Sequence, residues 1–279
     1  MLFRRVEKKD LPYIYSWLSN NDYLRHGVLE SAFSHGILYG VEIEGKVEAV
    51  SILYPVDRIA WLMGARVREM VRGRGVGRYM TEKLLEEARR MGLAGAALLT
   101  SRGNIPIHRI CSSLNMEKLL ELFSASIPVL PPTSSVEVSR LVAMHPEDLE
   151  KTLKILEREY PLLPLTPGGL IWAPTRYIIN SIHSKAYICR ANATPLALVY
   201  TGCSWVLEDR CRSTLGAILL NISSESPLQS IMSCISHLSY EEGFYDIVIW
   251  SKDSEDLLTR ISPIARWIWR SYIYYKDLR

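Results

Sequence analysis

The chain reads as a mixed α/β (α+β) protein made of two tandem units, each of strands and helices. Three observations predict this. β-Rich stretches alternate with helix-patterned ones along all 279 residues. The segment Ser126-Ile-Pro-Val-Leu-Pro-Pro-Thr-Ser-Ser135, with three prolines and four serines or threonines, interrupts the alternation as a stiff linker does. Beyond it the same order of elements starts again. The expected organisation is a first unit over 1–126, a linker over 127–135 and a second unit over 136–279.

In the first unit, residues 2–6 read as a short strand. Asp10 is placed to cap a helix running to about Leu18, with Pro12 tolerated in its first turn. A further helical stretch covers about 21–33. Ile37–Ile43 and Val47–Tyr54 are strands joined by the turn Glu44-Gly45-Lys46, and Ile59–Val67 is a third. A helix over 77–91 puts Met80, Leu84, Leu85 and Ala88 on one apolar face. Its residues Lys83, Glu86, Glu87, Arg89 and Arg90 are mostly solvated, and Gly92 ends it. Leu93–Thr100 is apolar nearly throughout, as a strand buried on both faces is. A short helix from about Pro106 to Leu114 and a strand from about Lys118 to Ser124 close the unit.

Arg72-Gly-Arg-Gly-Val-Gly77 lies between the third long strand and helix 77–91. Glycines let the chain turn tightly and let a ligand approach the backbone. The unpaired N–H groups and dipole of a helix start favour an anion, and Arg72, Arg74 and Arg78 add positive charge. The turn suits a phosphate or pyrophosphate. The dinucleotide pattern Gly-x-Gly-x-x-Gly fails, because Gly73, Gly75 and Gly77 are followed by Arg78, Tyr79 and Met80. The nucleoside-triphosphate loop also fails, for want of Gly-Lys-Ser/Thr. What fits is Arg-x-x-Gly-x-Gly at Arg72, Gly75 and Gly77.

With its strand, Ala65–Gly77 resembles the acyl-CoA signature of the GNAT acetyltransferase superfamily. The order of elements over 1–126 is also similar to that family's, which implies a mixed, mostly antiparallel sheet flanked by helices. The resemblance implies that Arg66, Val67 and Arg68 line the thioester, and that Arg72, Gly73, Arg74, Gly75, Val76 and Gly77 hold the pyrophosphate. Asn104-Ile-Pro-Ile-His-Arg-Ile-Cys-Ser-Ser-Leu-Asn-Met116 resembles a second family segment. It implies that Asn104 contacts the CoA arm and that Cys111 stands where many members have a tyrosine, the acid for the leaving thiolate. Asn115-Met116 replaces the family's Gly-Phe, and Asn also tolerates a left-handed turn.

The second unit repeats the pattern. Val136–Val142 is a strand and His145-Pro-Glu-Asp opens a helix to about Tyr160. Ala186–Arg190 and Leu196–Thr201 form a hairpin, and Ser213–Ile222 the long strand. A helix covers about 227–241, Tyr245–Trp250 is a strand, Ser254-Glu-Asp-Leu-Leu opens a helix and Ala265–Tyr275 closes as a strand. This resembles a degenerate GNAT-like unit without the CoA signature: Ser223-Ser-Glu-Ser-Pro occupies its place, and Glu225 would repel a phosphate. Pro161–Gly169 reads as a long loop.

Composition bounds the alternatives. The net charge is +3, too small to argue for a nucleic-acid partner. Residues 1–126 carry 18 Lys/Arg against 14 Asp/Glu and the rest 15 against 16, so the basic excess sits with the glycine turn. No apolar run reaches the ~18 residues of a membrane span, and the start has no signal-peptide core. Five scattered cysteines without Cys-x-x-Cys lead to an expectation of reduced thiols and a cytoplasmic location. No histidine or cysteine pattern points to a metal. The basic, aromatic Arg266–Tyr275 fits a closing strand, with base stacking as the competing reading.

The leading expectation is an acetyl-CoA-dependent N-acetyltransferase that passes the acetyl group to a primary amine by direct attack. The acceptor is a small molecule or a peptide, and the second unit completes the acceptor pocket or mediates homodimerisation. By position Asp57 and Glu69 are candidate bases, with Glu30, His35 and His108 behind them. Cys111 is the candidate acid, or a nucleophile if His108 lowers its pKa. A non-catalytic acyl-CoA-binding or regulatory protein is the alternative, because the usual tyrosine is absent. An RNA-associated protein is the third.

Overall fold

The computed structural model describes residues 1–129, 137–140, 144–164, 171–182, 186–191, 194–200, 214–220, 228–242, 246–252 and 254–279. The chain divides into two compact units. One is Met1–Leu119 with Ile273–Arg279, and the other is Leu120–Tyr272.

The first unit runs β1 (Leu2–Arg5), α1 (Leu11–Trp17), α2 (Val28–Ser34), β2 (Leu38–Ile43), β3 (Lys46–Val56), β4 (Ile59–Val67), α3 (Val76–Arg90), β5 (Gly95–Ser101) and α4 (Ile105–Ser113). β6 (Glu117–Pro128) then leaves it. Pairs β1–β2, β2–β3 and β3–β4 are antiparallel, and β4–β5 is parallel. The strand beside β5 is the end of the chain's last one, β14 (Trp267–Asp277). Leu278 N–H donates to the Ala94 carbonyl at 3.0 Å, and Ile273 and Leu278 are buried.

Local chemistry explains these elements. Glu44 and Gly45 both have positive φ (52° and 78°), the two-residue turn that matches strand twist. On α3, Val76, Met80, Leu84, Leu85 and Ala88 are buried on one face and pack with Val41, Ala49, Leu53 and Leu98 of the sheet. Gly92, at φ +74°, ends the helix region. The α1/α2 region buries Ile14, Leu24, Val28, Leu29 and Ala32. Asp10 differs from its expected cap role. Its carboxylate accepts from Arg4 Nη1 at 2.7 Å and from the Glu7 N–H at 2.8 Å, so a 3-10 turn, Lys8–Asp10, precedes α1. The stretch 21–33 is two pieces, a 3-10 turn Tyr23–Arg25 and α2, because Gly27 interrupts it at φ +82°.

The second unit runs β7 (Glu137–Arg140), α5 (Pro146–Glu159), β8 (Leu162–Pro164), β9 (Trp172–Pro174), α6 (Thr175–Ile182), β10 (Ala186–Ala191), β11 (Thr194–Tyr200), β12 (Thr214–Leu219), α7 (Leu228–Glu242), β13 (Asp246–Lys252) and α8 (Glu255–Ile261). Its sheet order is β7-β10-β11-β12-β13-β6, again antiparallel except at one parallel pair, β12–β13. The order β1-β2-β3-β4-β5-β14 of the first unit has its parallel pair in the same place. Each unit is thus closed by a strand from the other half of the chain. β6 supplies Leu122–Pro128 to β13, and β14 supplies its end to β5.

This differs from the contiguous division expected at 126 and 136. Ile127 and Pro128, expected in the linker, lie in β6. Leu122, Phe123, Ala125 and Ile127 are fully buried there, so apolar burial carries the strand past Ser124. Val129 follows the strand, and residues 130–135 of the linker and Ser223–Pro227 lie outside the described residues. The Pro161–Gly169 stretch begins with the β8 strand, and α6 was not anticipated. Ser254 caps α8 as expected, accepting the Leu257 N–H at 3.4 Å.

The expectation of reduced thiols fails for one pair. Cys189 of β10 and Cys234 of α7 form a disulfide inside the second unit's apolar core. Scattered sequence positions, 45 residues apart, meet because α7 packs across β10. Among the described residues no helix is long and apolar enough to cross a membrane, and no three His, Cys, Asp or Glu side chains gather as a metal site.

Candidate active site

β4 and β5 pair at Ile59↔Gly95, Ala60↔Ala96 and Trp61↔Ala97, and no further. Both strands continue, to Val67 and Ser101, so their second halves splay apart. A bulge re-aims β4 within that opening. Val50 faces Arg66 while Ile52 faces Met63, which gives β4 one extra residue. Gly64 sits in the bulge at φ +66°, and a Cβ there would lie 3.0 Å from Leu24 Cδ2. Both the conformation and the space require glycine.

Past the bulge the backbone alternates. Arg68 N–H donates to the Glu48 carbonyl at 2.8 Å, which spends it on β3. Successive residues of an antiparallel strand turn their N–H and C=O to opposite edges. Val67 therefore turns its backbone groups away from β3, toward the splay. Its carbonyl accepts from Arg72 Nε at 3.0 Å, consistent with that direction. Of Arg66, Val67 and Arg68, Val67 presents its amide to the opening.

The glycine turn follows the 3-10 turn Glu69–Val71. Gly73 and Gly75 have φ of 77° and 80°, and nothing lies within 4 Å of where a Cβ would be. The backbone there is open to a ligand. Gly75 is the N-cap of α3, and the first helical bond runs from Tyr79 N–H to the Gly75 carbonyl. The N–H groups of Val76, Gly77 and Arg78 precede it and lack that intrahelical bond. Arg72, Arg74 and Arg78 are exposed around them, and the Val76 side chain is buried below. Gly77 has a different reason to be glycine: a Cβ would lie 3.3 Å from Ile110 Cδ1 of α4. Exposed backbone donors, positive side chains and a helix dipole together suit an anion.

The other expected residues divide. Asn104, exposed at the start of α4, donates Nδ2 to Thr100 Oγ1 at 3.0 Å, beside the end of β5. Glu69 is exposed at the site end of β4. Asp57 lies at the other end, in the β3–β4 hairpin turn, where φ +51° accounts for a residue that tolerates the left-handed conformation. At roughly 3.3 Å per residue, the length of β4 from Ile59 to Val67, about 26 Å, separates that turn from Val67. Cys111 is fully buried in the core with Val76, Met80 and Met116, and burial pushes its thiol up to about 12. Its sulfur does not reach the surface that an acid or nucleophile needs. His108 meets the phenol of Tyr274 instead, with Nδ1 at 3.1 Å from Oη and Nε2 at 3.0 Å from the Arg102 carbonyl. Glu30 accepts from the Tyr15 hydroxyl, and His35 Nδ1 lies 2.8 Å from the Ser31 carbonyl.

Four residues escaped the sequence reading. Asp22 accepts from Arg66 Nε at 2.6 Å and Nη2 at 3.0 Å. Burial pushes the Asp22 carboxyl up, but the Arg66 hydrogen bonds and charge outweigh this and hold it below the ordinary range. Glu48 accepts from Arg68 Nη1 at 3.1 Å and from Tyr13 Oη at 2.8 Å. Tyr23 lies under the Arg66 guanidinium, 5.2 Å from ring centroid to Cζ. Glu48 had a signal, as the lone charge in the apolar run Val47–Tyr54. Gly64 inside a strand was a second, marking a bulge.

Residues 4–111 match the model of the acetyltransferase (GNAT) family. Comparison with curated proteins gave no match. Among solved structures, a GCN5-related N-acetyltransferase from Sphaerobacter thermophilus is similar at 11% identity and TM-score 0.58, with 100% of this chain and 96% of that one covered. A candidate acetyltransferase from Thermoplasma acidophilum is similar at 11% identity and TM-score 0.55, covering 99% and 100%. One from Anabaena variabilis, also GCN5-related, gives 12% identity and TM-score 0.50, covering 100% and 73%. At these identities the structures speak for the fold, and they extend it over both units. The splayed parallel pair, its bulge and the glycine-capped helix all lie within the matched residues, and this N-terminal part of the chain has the GNAT-family fold.

Proposed function

We propose that the protein is an acetyl-CoA-dependent N-acetyltransferase acting on a primary amine of a small molecule or peptide. The observation that carries this is the open glycine turn at the start of α3, adjoining a β4–β5 splay with the Val67 amide directed into it. Arg72, Arg74 and the Gly73–Gly77 backbone hold the pyrophosphate. Asn104 meets the CoA arm and Val67 N–H the thioester carbonyl, between Arg66 and Arg68. The neutral amine attacks that carbonyl carbon, the C–N bond forms and the C–S bond breaks. The amine proton leaves through water, with Glu69 as the candidate acceptor at the site end of β4, and solvent protonates the departing thiolate. Little more is needed, since the thioester is already activated and positioning supplies most of the effect.

Burial of Cys111 supports a second reading, a non-catalytic acyl-CoA-binding protein, because it removes the expected acid. One experiment separates the two. Calorimetry with acetyl-CoA is expected to show binding, and a panel of amines to release free CoA thiol. Binding without release for every amine favours the second reading, and absence of binding refutes both.

A further inference from the structure

We propose that the ion pairs Asp22–Arg66 and Glu48–Arg68 form a clamp that positions the Val67 amide. This rests on the reading above that Val67 N–H meets the thioester. Arg66 and Arg68 bracket Val67 and point to the opposite face of β4 from its side chain, which lies 3.6 Å from the Cβ position of Gly77 beside α3. Each guanidinium is held by a carboxylate whose side chain is only 9% exposed. Asp22 binds Arg66 through two oxygens and also accepts the Leu24 N–H at 3.1 Å, which ties β4 to the turn after α1. Glu48 binds Arg68 Nη1 through both oxygens, at 3.1 and 3.2 Å. The Tyr13 hydroxyl of α1 closes that network, at 2.8 Å from Glu48 and 2.6 Å from Arg68 Nη1.

The location explains the arrangement. Burying a carboxylate carries a desolvation cost, and apolar pairs of similar size often stabilise a fold as well. Here β4 has lost its β5 neighbour and is hydrogen-bonded only to β3, so its edge lacks the second row of bonds that fixes a central strand. Two ion pairs, one residue to either side of Val67, restrain it from the far face. A donor aimed at a developing oxyanion works only within a narrow geometry. Asp22 and Glu48 are positioning residues, acting through the backbone between their partners.

The test is independent of the acceptor's identity. Acetyl-CoA labelled with ¹³C at the thioester carbonyl is bound to the full-length protein, and the C=O stretch is read by infrared difference spectroscopy. In the wild type a shift to lower wavenumber is expected relative to acetyl-CoA in solution. Asp22→Asn and Glu48→Gln are expected to lose most of that shift while their affinity for acetyl-CoA changes by no more than about threefold. Asp22→Glu and Glu48→Asp should recover part of it, which a purely structural role does not predict. If Glu48→Gln fails to fold, Tyr13→Phe removes one partner of Glu48 and is read in the same way. A full shift retained in variants that bind acetyl-CoA overturns the clamp while leaving the Val67 reading intact. A wild type that binds acetyl-CoA without any shift overturns the Val67 reading, and the clamp with it.

Discussion

The Cys111 thiol lies among Val76, Met80 and Met116, where an ionised sulfur would have no water around it. Burial pushes its pKa from near 9 up to about 12. The unfolded chain ionises this thiol first, so it binds fewer protons than the folded one between those values. Stability is therefore untouched below pH 9 and falls above it, by up to about 1.4 kcal/mol per pH unit from this group. Denaturant titrations at pH 8 to 10.5 check this, and Cys111→Val should remove the contribution. Cys111→Ser is expected to cost about 1–3 kcal/mol by burying a hydroxyl, and Cys111→Tyr more, because no room exists for a ring. Gly75 stands in the opposite situation, with open space around it and a φ that side chains resist. Gly75→Val should weaken acetyl-CoA binding at least about tenfold, some 1.4 kcal/mol by calorimetry. A folded variant that binds as tightly as the parent would remove the glycine turn from the site.

At the scale of elements, the last strand of the chain belongs to the first unit. Tyr275 lies over Gly95, where an added Cβ would come within 2.6 Å of its ring. Ile273 and Leu278 bury against the same unit. Truncation after Tyr272 leaves every residue of the matched GNAT segment in place, yet exposes the edge of β5 and that apolar surface. It is expected to abolish or strongly weaken acetyl-CoA binding, read as loss of the ligand-induced rise in Tm. Full binding by the truncated chain would show that β14 is dispensable to the site. The elements themselves were largely legible beforehand. The apolar face of α3, the Glu44-Gly45 turn and the apolar run of β5 follow local rules that need no knowledge of the rest of the chain. α6 is not legible because it follows a proline-rich stretch that reads as loop, nor is the end of β6, because Pro128 reads as a breaker.

Across the whole molecule, the two units share one strand order but treat the parallel pair differently. β12 keeps five of its six residues paired with β13, whereas β4 pairs three of nine with β5. A closed pair leaves no slot for a thioester, and the sequence Ser223-Ser-Glu-Ser-Pro between β12 and α7 has neither arginine nor glycine. A saturating titration is expected to give one acetyl-CoA per chain. Two equivalent sites per chain would refute the proposed loss of binding in the second unit. The sequence by itself determined most of the strand and helix order and the glycine turn ahead of α3, because each rests on residues close along the chain. Only the tertiary structure decided which amide faces the splay, that Asp57 lies at the far end of β4 and that Cys111 is a core thiol. It also decided the pairing of Cys189 with Cys234, the carboxylates that hold Arg66 and Arg68, and the exchange of closing strands. Each of these depends on which distant segment packs alongside, and burial and hydrogen-bond partners are properties of that packing.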